Sequence, residues 1–171
     1  MAKPLTLYKL IILYMLDRVS FPMTNDQLSE YILTKGYMDY FKFQQTMSEL
    51  KSTELIKAEA VRNNTYYTIE ARGREVCHYF QNKVSSEIRD DIKQYLKENE
   101  YELREEVSVL ANYFRTIEAE YMVECSVKEQ GEDLLKVNLR VSSEEQANRI
   151  CDKWKEKSSS VYSYLVNELM S

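Results

Sequence analysis

The sequence predicts an α+β chain in two parts, and three observations carry that reading. Two short amphipathic helices followed by a hairpin lie between Thr24 and Ile69. From about Glu106 the apolar period changes from helical spacing to two. A helical stripe then returns after Ser143 and holds almost to the C-terminus. The expected boundaries are a first domain over 1–83, a linker helix over 84–103, and a three-stranded antiparallel sheet covered by a long helix over 104–171.

In order, Leu5 to Val19 reads as a scaffold helix, with Thr6 as its cap and Leu7, Leu10, Ile11, Tyr14 and Met15 as a broad apolar stripe. Ser20 to Met23 breaks it, because Pro22 holds Phe21 extended. Thr24 and Gln27 have capping-box spacing for the next helix, which buries Leu28, Tyr31 and Ile32 and stops at Lys35-Gly36. A connection from Tyr37 to Phe41 leads to a second helix over Lys42 to Thr53, with Phe43, Met47 and Leu50 inward. Ile56 to Val61, a turn at Arg62-Asn63-Asn64-Thr65, and Tyr66 to Ile69 then form a hairpin in which Asn supplies the positive φ.

After the hairpin, Val76, Cys77, Tyr79 and Phe80 mark a helix that closes the first domain, with Arg72 and Arg74 beside it. Ser85 or Ser86 starts the next helix, to about Asn99, whose stripe of Val84, Ile88, Ile92, Tyr95 and Leu96 awaits either a second copy of the chain or the C-terminal domain. Val107 to Phe114 is apolar on both sides and reads as a central strand. Tyr121 to Lys128 and Leu135 to Val141 flank a turn-rich tip and read as an antiparallel hairpin. The last helix starts at a Ser cap with Glu144 and Glu145 in its first turn, and Ser158-Ser159-Ser160 predicts a kink or break.

Composition narrows the function classes. At 171 residues, with 3 Gly and 2 Pro, the chain suits a regular fold, and a phosphate loop of the usual Gly-rich kind has too few glycines. No run of about 18 apolar residues is present, and Met1-Ala2-Lys3-Pro4 leads into helix without a leader-cleavage pattern, so a cytoplasmic protein without membrane attachment is expected. Cys77, Cys125 and Cys151 have neither disulfide nor zinc spacing and read as buried apolar residues, with thiol sensing as the other reading. His78 stands without a ligand cluster. No catalytic residue, cofactor or metal is expected. The first 83 residues hold 11 Lys or Arg against 9 Asp or Glu, and the remainder 12 against 19. That asymmetry lets the first part face phosphate while the acidic part faces protein or solvent.

The outer face of the helix over Lys42 to Thr53 carries Gln44, Gln45, Ser48 and Ser52, with Lys42 and Lys51 at its margins and Glu49 within it as an opposing charge. Amides pair with adenine, hydroxyls with several base edges, and lysines with phosphate. With Arg62, Asn63 and Asn64 at the hairpin tip, these nine residues, Glu49 apart, are the expected DNA-binding set. The helix, helix, hairpin order resembles the winged helix-turn-helix, broadly that of PadR and MarR-like transcriptional regulators. Pro4-Leu5-Thr6-Leu7-Tyr8-Lys9-Leu10-Ile11-Ile12-Leu13-Tyr14-Met15-Leu16, Tyr95-Leu96-Lys97-Glu98-Asn99 through Val109-Leu110, and Glu144-Glu145-Gln146-Ala147 with Trp154 resemble, end to end, a bacterial family of domains of unknown function with a winged-helix N-terminal part. The resemblance implies a regulator and no catalytic residue. The expectation is a homodimer that binds double-stranded DNA; the alternative is an adaptor whose acidic C-terminal domain binds a protein partner.

Overall fold

The computed structural model describes residues 4–171, with side chains from Thr6 onward. Met1 to Lys3, and with them the expectation of a chain start without a leader, lie outside the described residues. The fold is mixed α+β with two three-stranded antiparallel sheets. It divides into two compact units, Met1–Arg104 and Glu105–Ser171.

The first unit is built around α1 (Pro4–Asp17), where every residue from Leu10 to Leu16 is buried. A helix that is apolar on all sides needs neighbours on all sides. The stripe expected from sequence is therefore too narrow: Ile12, Leu13 and Leu16 are as buried as Leu10, Ile11, Tyr14 and Met15, and Leu7 is half-buried. Thr6 lies inside the first turn and is exposed, so it does not cap the helix. Next come β1 (Met23–Thr24), α2 (Asn25–Lys35), α3 (Tyr40–Ser52), β2 (Ile56–Val61), β3 (Asn64–Ile69) and α4 (Ala71–Phe80). The sheet order is β1-β3-β2, with Met23 opposite Tyr67 and Ile56 opposite Ile69.

Local chemistry sets these boundaries. At the start of α2 the Gln27 amide donates to Thr24 Oγ1 and the Thr24 amide donates back to Gln27 Oε1, each at 3.0 Å. Gly36 at φ 71° ends the helix, and its amide and that of Tyr37 satisfy the last carbonyls. Gly73 is required for a different reason: a Cβ there would stand 2.1 Å from the Leu55 carbonyl oxygen, where the chain crosses from β3 into α4.

A 3₁₀ turn over Gln81–Lys83 leads to α5 (Ser86–Ser108), nine residues longer than its expected end at Asn99. The Ser85 hydroxyl accepts the Ile88 amide at 3.2 Å and begins it. Val84, Ile92, Leu96 and Leu103 join the first unit's buried cluster, with Ile88 and Tyr95 packed against it. The stripe offered to a second chain or to the C-terminal domain is thus buried within the first unit's own core. Tyr95 stacks on Tyr31 of α2 at 4.2 Å between ring centroids, and Gln27 Nε2 donates to the Leu103 carbonyl at 3.2 Å.

The second unit holds β4 (Val109–Arg115), β5 (Tyr121–Glu129), β6 (Glu132–Val141) and α6 (Glu144–Met170). Its order is β4-β5-β6, so β5 is central and the strand expected to be central is an edge. The residues of β4 that suggested two buried faces divide differently: Ala111 and Tyr113 pack on the core, while Phe114 is exposed. The β5-β6 turn places Gln130 and Gly131 at φ 53° and 84°, the twist that a two-residue hairpin loop requires. Helix α6 covers one face of the sheet through Ala147, Cys151 and Trp154 against Val123 and Cys125, and Trp154 Nε1 donates to the Ser126 carbonyl at 3.0 Å. The expected break is absent: α6 runs unbroken through Ser158, which is buried. No helix among the described residues is long and apolar enough to cross a membrane.

Candidate nucleic-acid interface

Helix α3 begins two residues earlier than its sequence pattern suggests. Asp39 caps it, accepting the Lys42 amide at 2.7 Å, and the Thr46 hydroxyl returns to the Lys42 carbonyl at 2.7 Å. Phe43, Thr46, Met47 and Leu50 are buried. Their helical spacing turns the opposite side outward as a single ridge of Phe41, Gln45, Ser48 and Ser52, at i, i+4, i+7 and i+11. Gln44, half-buried, and Lys51 lie on one flank of that ridge and Lys42 on the other.

Two corrections change this face, one in its charge and one in its apolar surface. Glu49, expected within it, turns to the Lys42 flank and pairs with Lys9 of α1 at 2.8 Å. The ridge itself therefore carries no carboxylate. Phe41, expected in a connection, is instead the second residue of α3 and is 73% exposed, with Tyr40 before it 58% exposed. Sequence reasoning missed Phe41 because an aromatic between turn residues looks like an anchor; the usable signal was Asp39 followed three residues later by the helical pattern.

The hairpin tip also differs from expectation. Val61 pairs with Asn64, so the turn has two residues, Arg62 and Asn63, and Asn64 opens β3. The positive φ falls on Arg62, at 55°. Arg62, Asn63 and Asn64 remain exposed together, with Lys57 also exposed along β2. The structure thus groups the nine expected residues on two elements: six on α3 and three at the β2-β3 tip. Of the two arginines expected beside the hairpin, Arg74 is committed to Asp17 at 2.7 Å, a carboxylate that His78 Nε2 also meets at 3.0 Å. Arg72 is exposed.

Elsewhere the chemistry is quiet. No group of three or more His, Cys, Asp or Glu suited to a metal occurs among the described residues. All three thiols are buried, and burial pushes Cys77 and Cys125 up to about 11, aided by the Asp17 carboxylate at the first and by Cys151 at the second. A neutral buried thiol is a poor nucleophile, which counts against thiol sensing.

The meiotic plaque component protein 54 of Saccharomyces cerevisiae is 32% identical to this chain over 80 residues, which cover 45% of this chain and 15% of that protein. No solved structure matches the chain. Residues 8–169 match the family model described as a domain of unknown function, DUF4364, and the chain belongs to that family.

Proposed function

We propose that the first unit is a winged helix-turn-helix that binds duplex DNA, and that the protein is a homodimeric cytoplasmic transcriptional regulator. The observation that carries this reading is the α3 ridge: amide and hydroxyl side chains in one line, lysines at the margins, and the one carboxylate of that side tied back to Lys9. Support also comes from connectivity. Three helices, the strand order β1-β3-β2, and a hairpin directly after α3 match the arrangement in which a reading helix enters the major groove while the hairpin tip touches the backbone.

Charge makes pairing necessary. The first unit holds 15 Lys or Arg against 15 Asp or Glu, so one copy offers few free cations to phosphate. Two copies would set their reading helices about 34 Å apart, one turn of DNA. With the α5 stripe covered, the end of α6 is the surface assigned to pairing in this reading. From Ser158 to Ser171 the only charged residue is Glu168, while Tyr164, Leu169 and Met170 stand exposed. Interface cores are depleted in charge and enriched in Tyr and Met.

Fluorescence anisotropy of the protein with duplex DNA from upstream of its own gene and with a scrambled duplex, across a salt series, tests the reading. Tighter binding of the native duplex, a steep salt slope, and loss of both in a Lys42→Glu, Lys51→Glu, Arg62→Glu variant is the expected result. No binding of either duplex at about 50 mM salt, where phosphate contacts are strongest, contradicts it. One observation favours a second reading, an adaptor that binds protein through its second unit: that unit holds 8 Lys or Arg against 13 Asp or Glu. Charge reversal on the second unit would abolish that function, and charge reversal on α3 would leave it intact.

A further inference from the structure

Phe41 is the one apolar side chain on the α3 ridge, and its exposure is fixed by its neighbours. Met38 before it and Phe43 after it are buried, and the Asp39 cap fixes the first turn, so the backbone holds the Phe41 ring outward. Tyr40 beside it is exposed toward the Lys51 flank. A docking surface for protein would continue such a ring into an apolar patch. Here the next positions along the ridge are Gln45, Ser48 and Ser52.

A first unit that binds DNA, the reading on which this proposal rests, gives that ring a defined neighbour. The first residues of a reading helix approach base edges most closely. Among the groups the major groove displays, the apolar one is the C5-methyl of thymine. One turn further along the same ridge is Gln45, and the glutamine amide matches the N6 and N7 edge of adenine. Arginine, the usual partner of guanine, is absent from Tyr40–Ser52. The lysines sit on the flanks, where phosphate rather than a base edge is within reach, and the Asp39 carboxylate at the helix mouth keeps phosphate from docking there.

We propose that Phe41 is the specificity-determining residue of the α3 ridge, that it packs against thymine methyl groups in the major groove, and that the DNA bound by this unit is therefore read at A·T pairs. The test uses a duplex of 12 alternating A·T steps, the same duplex with deoxyuridine in place of thymidine, and an alternating G·C duplex of equal length, each titrated by anisotropy at low salt. The uridine duplex differs by the methyl group alone. The wild-type protein is expected to bind the thymine duplex about fourfold more tightly than the uridine one for each methyl contacted, the factor that burial of one CH₂-sized group supplies. Phe41→Ala should bring that ratio to about one while keeping the salt slope, since the lysines are untouched; Phe41→Leu should keep part of it. Residue 41 is exposed, so both variants should fold, and a matching thermal melt checks that. Equal binding of thymine and uridine duplexes by the wild type, or a ratio that persists in Phe41→Ala, overturns the proposal while leaving DNA binding in place. Absence of binding to all three duplexes overturns both. Tighter binding of the G·C duplex with an unchanged salt slope also overturns the assignment of A·T pairs.

Discussion

The two units solve the problem of burial differently. Among the described residues, the first encloses 22 buried side chains in one cluster around α1, and the second encloses five between a sheet and a single helix. A core that surrounds a helix on every side leaves the outer helices little freedom, so the α3 ridge is carried on a stiff base. A core between one sheet face and one helix leaves the other face and the end of α6 facing outward. The contrast teaches that the first unit is built to hold a surface in shape and the second to offer more surface than it needs for its own fold.

The largest expected effect comes from the centre of the first core. Leu13→Ala, at a fully buried position of α1, should cost about 4 kcal/mol, from lost transfer energy and the cavity left behind. Trp154, the only tryptophan, lies in the second unit and reports on that unit in denaturant melts. Its transition should stay in place while the circular dichroism transition of the first unit moves to lower denaturant. If both move together, the units unfold as one and the comparison breaks.

A smaller effect follows from pH. Burial raises Cys77 in the first unit and Cys125 in the second from about 9.0 to about 11, so the folded state keeps these thiols neutral after the unfolded chain has ionised them. Stability is then complete below about pH 9 and lost as pH climbs to about 11, by about 2 kcal/mol for each thiol. Tyr31, Tyr37 and Tyr67 are also raised by burial, which extends the loss above pH 10 in the first unit. Urea midpoints at pH 8 and pH 10.5 should therefore fall for both signals, and Cys125→Ala should flatten the fall in the Trp154 signal alone.

The smallest effect concerns Tyr14. Its hydroxyl is buried without a hydrogen-bond partner, and its ring lies 4.6 Å from the Arg18 guanidinium. Tyr14→Phe removes the orphaned group and keeps the ring, so it should stabilise the first unit by about 1 kcal/mol, seen as a higher melting temperature. A lower one would mean that the hydroxyl has a role in the core.

Much of this fold was legible in short-range signals. Thr24 with Gln27, Gly36, and the alternation along β5 and β6 each act within a few residues, and each reads correctly from sequence alone. What was not legible depends on groups far apart in the chain. Glu49 looks like part of the outer polar face of α3 until Lys9, 40 residues earlier, is seen to hold it. The α5 stripe looks free until α2 is seen to cover it through Tyr31 and Tyr95. Ser158 to Ser160 predicts a break by propensity, yet tertiary packing keeps α6 helical. Likewise, the left-handed turn position belongs to Arg62, because the register of Val61 with Asn64 fixes where the two turn residues fall.

The most direct test of the central claim, that the α3 ridge with the β2-β3 tip is a DNA-reading surface, is residue-by-residue NMR of the full chain with and without duplex from upstream of its gene. Amide shifts should move at Phe41, Gln45, Ser48, Ser52, Arg62 and Asn63 and stay still across β4 to β6. Shifts confined to the second unit, or none at saturating duplex, would contradict it.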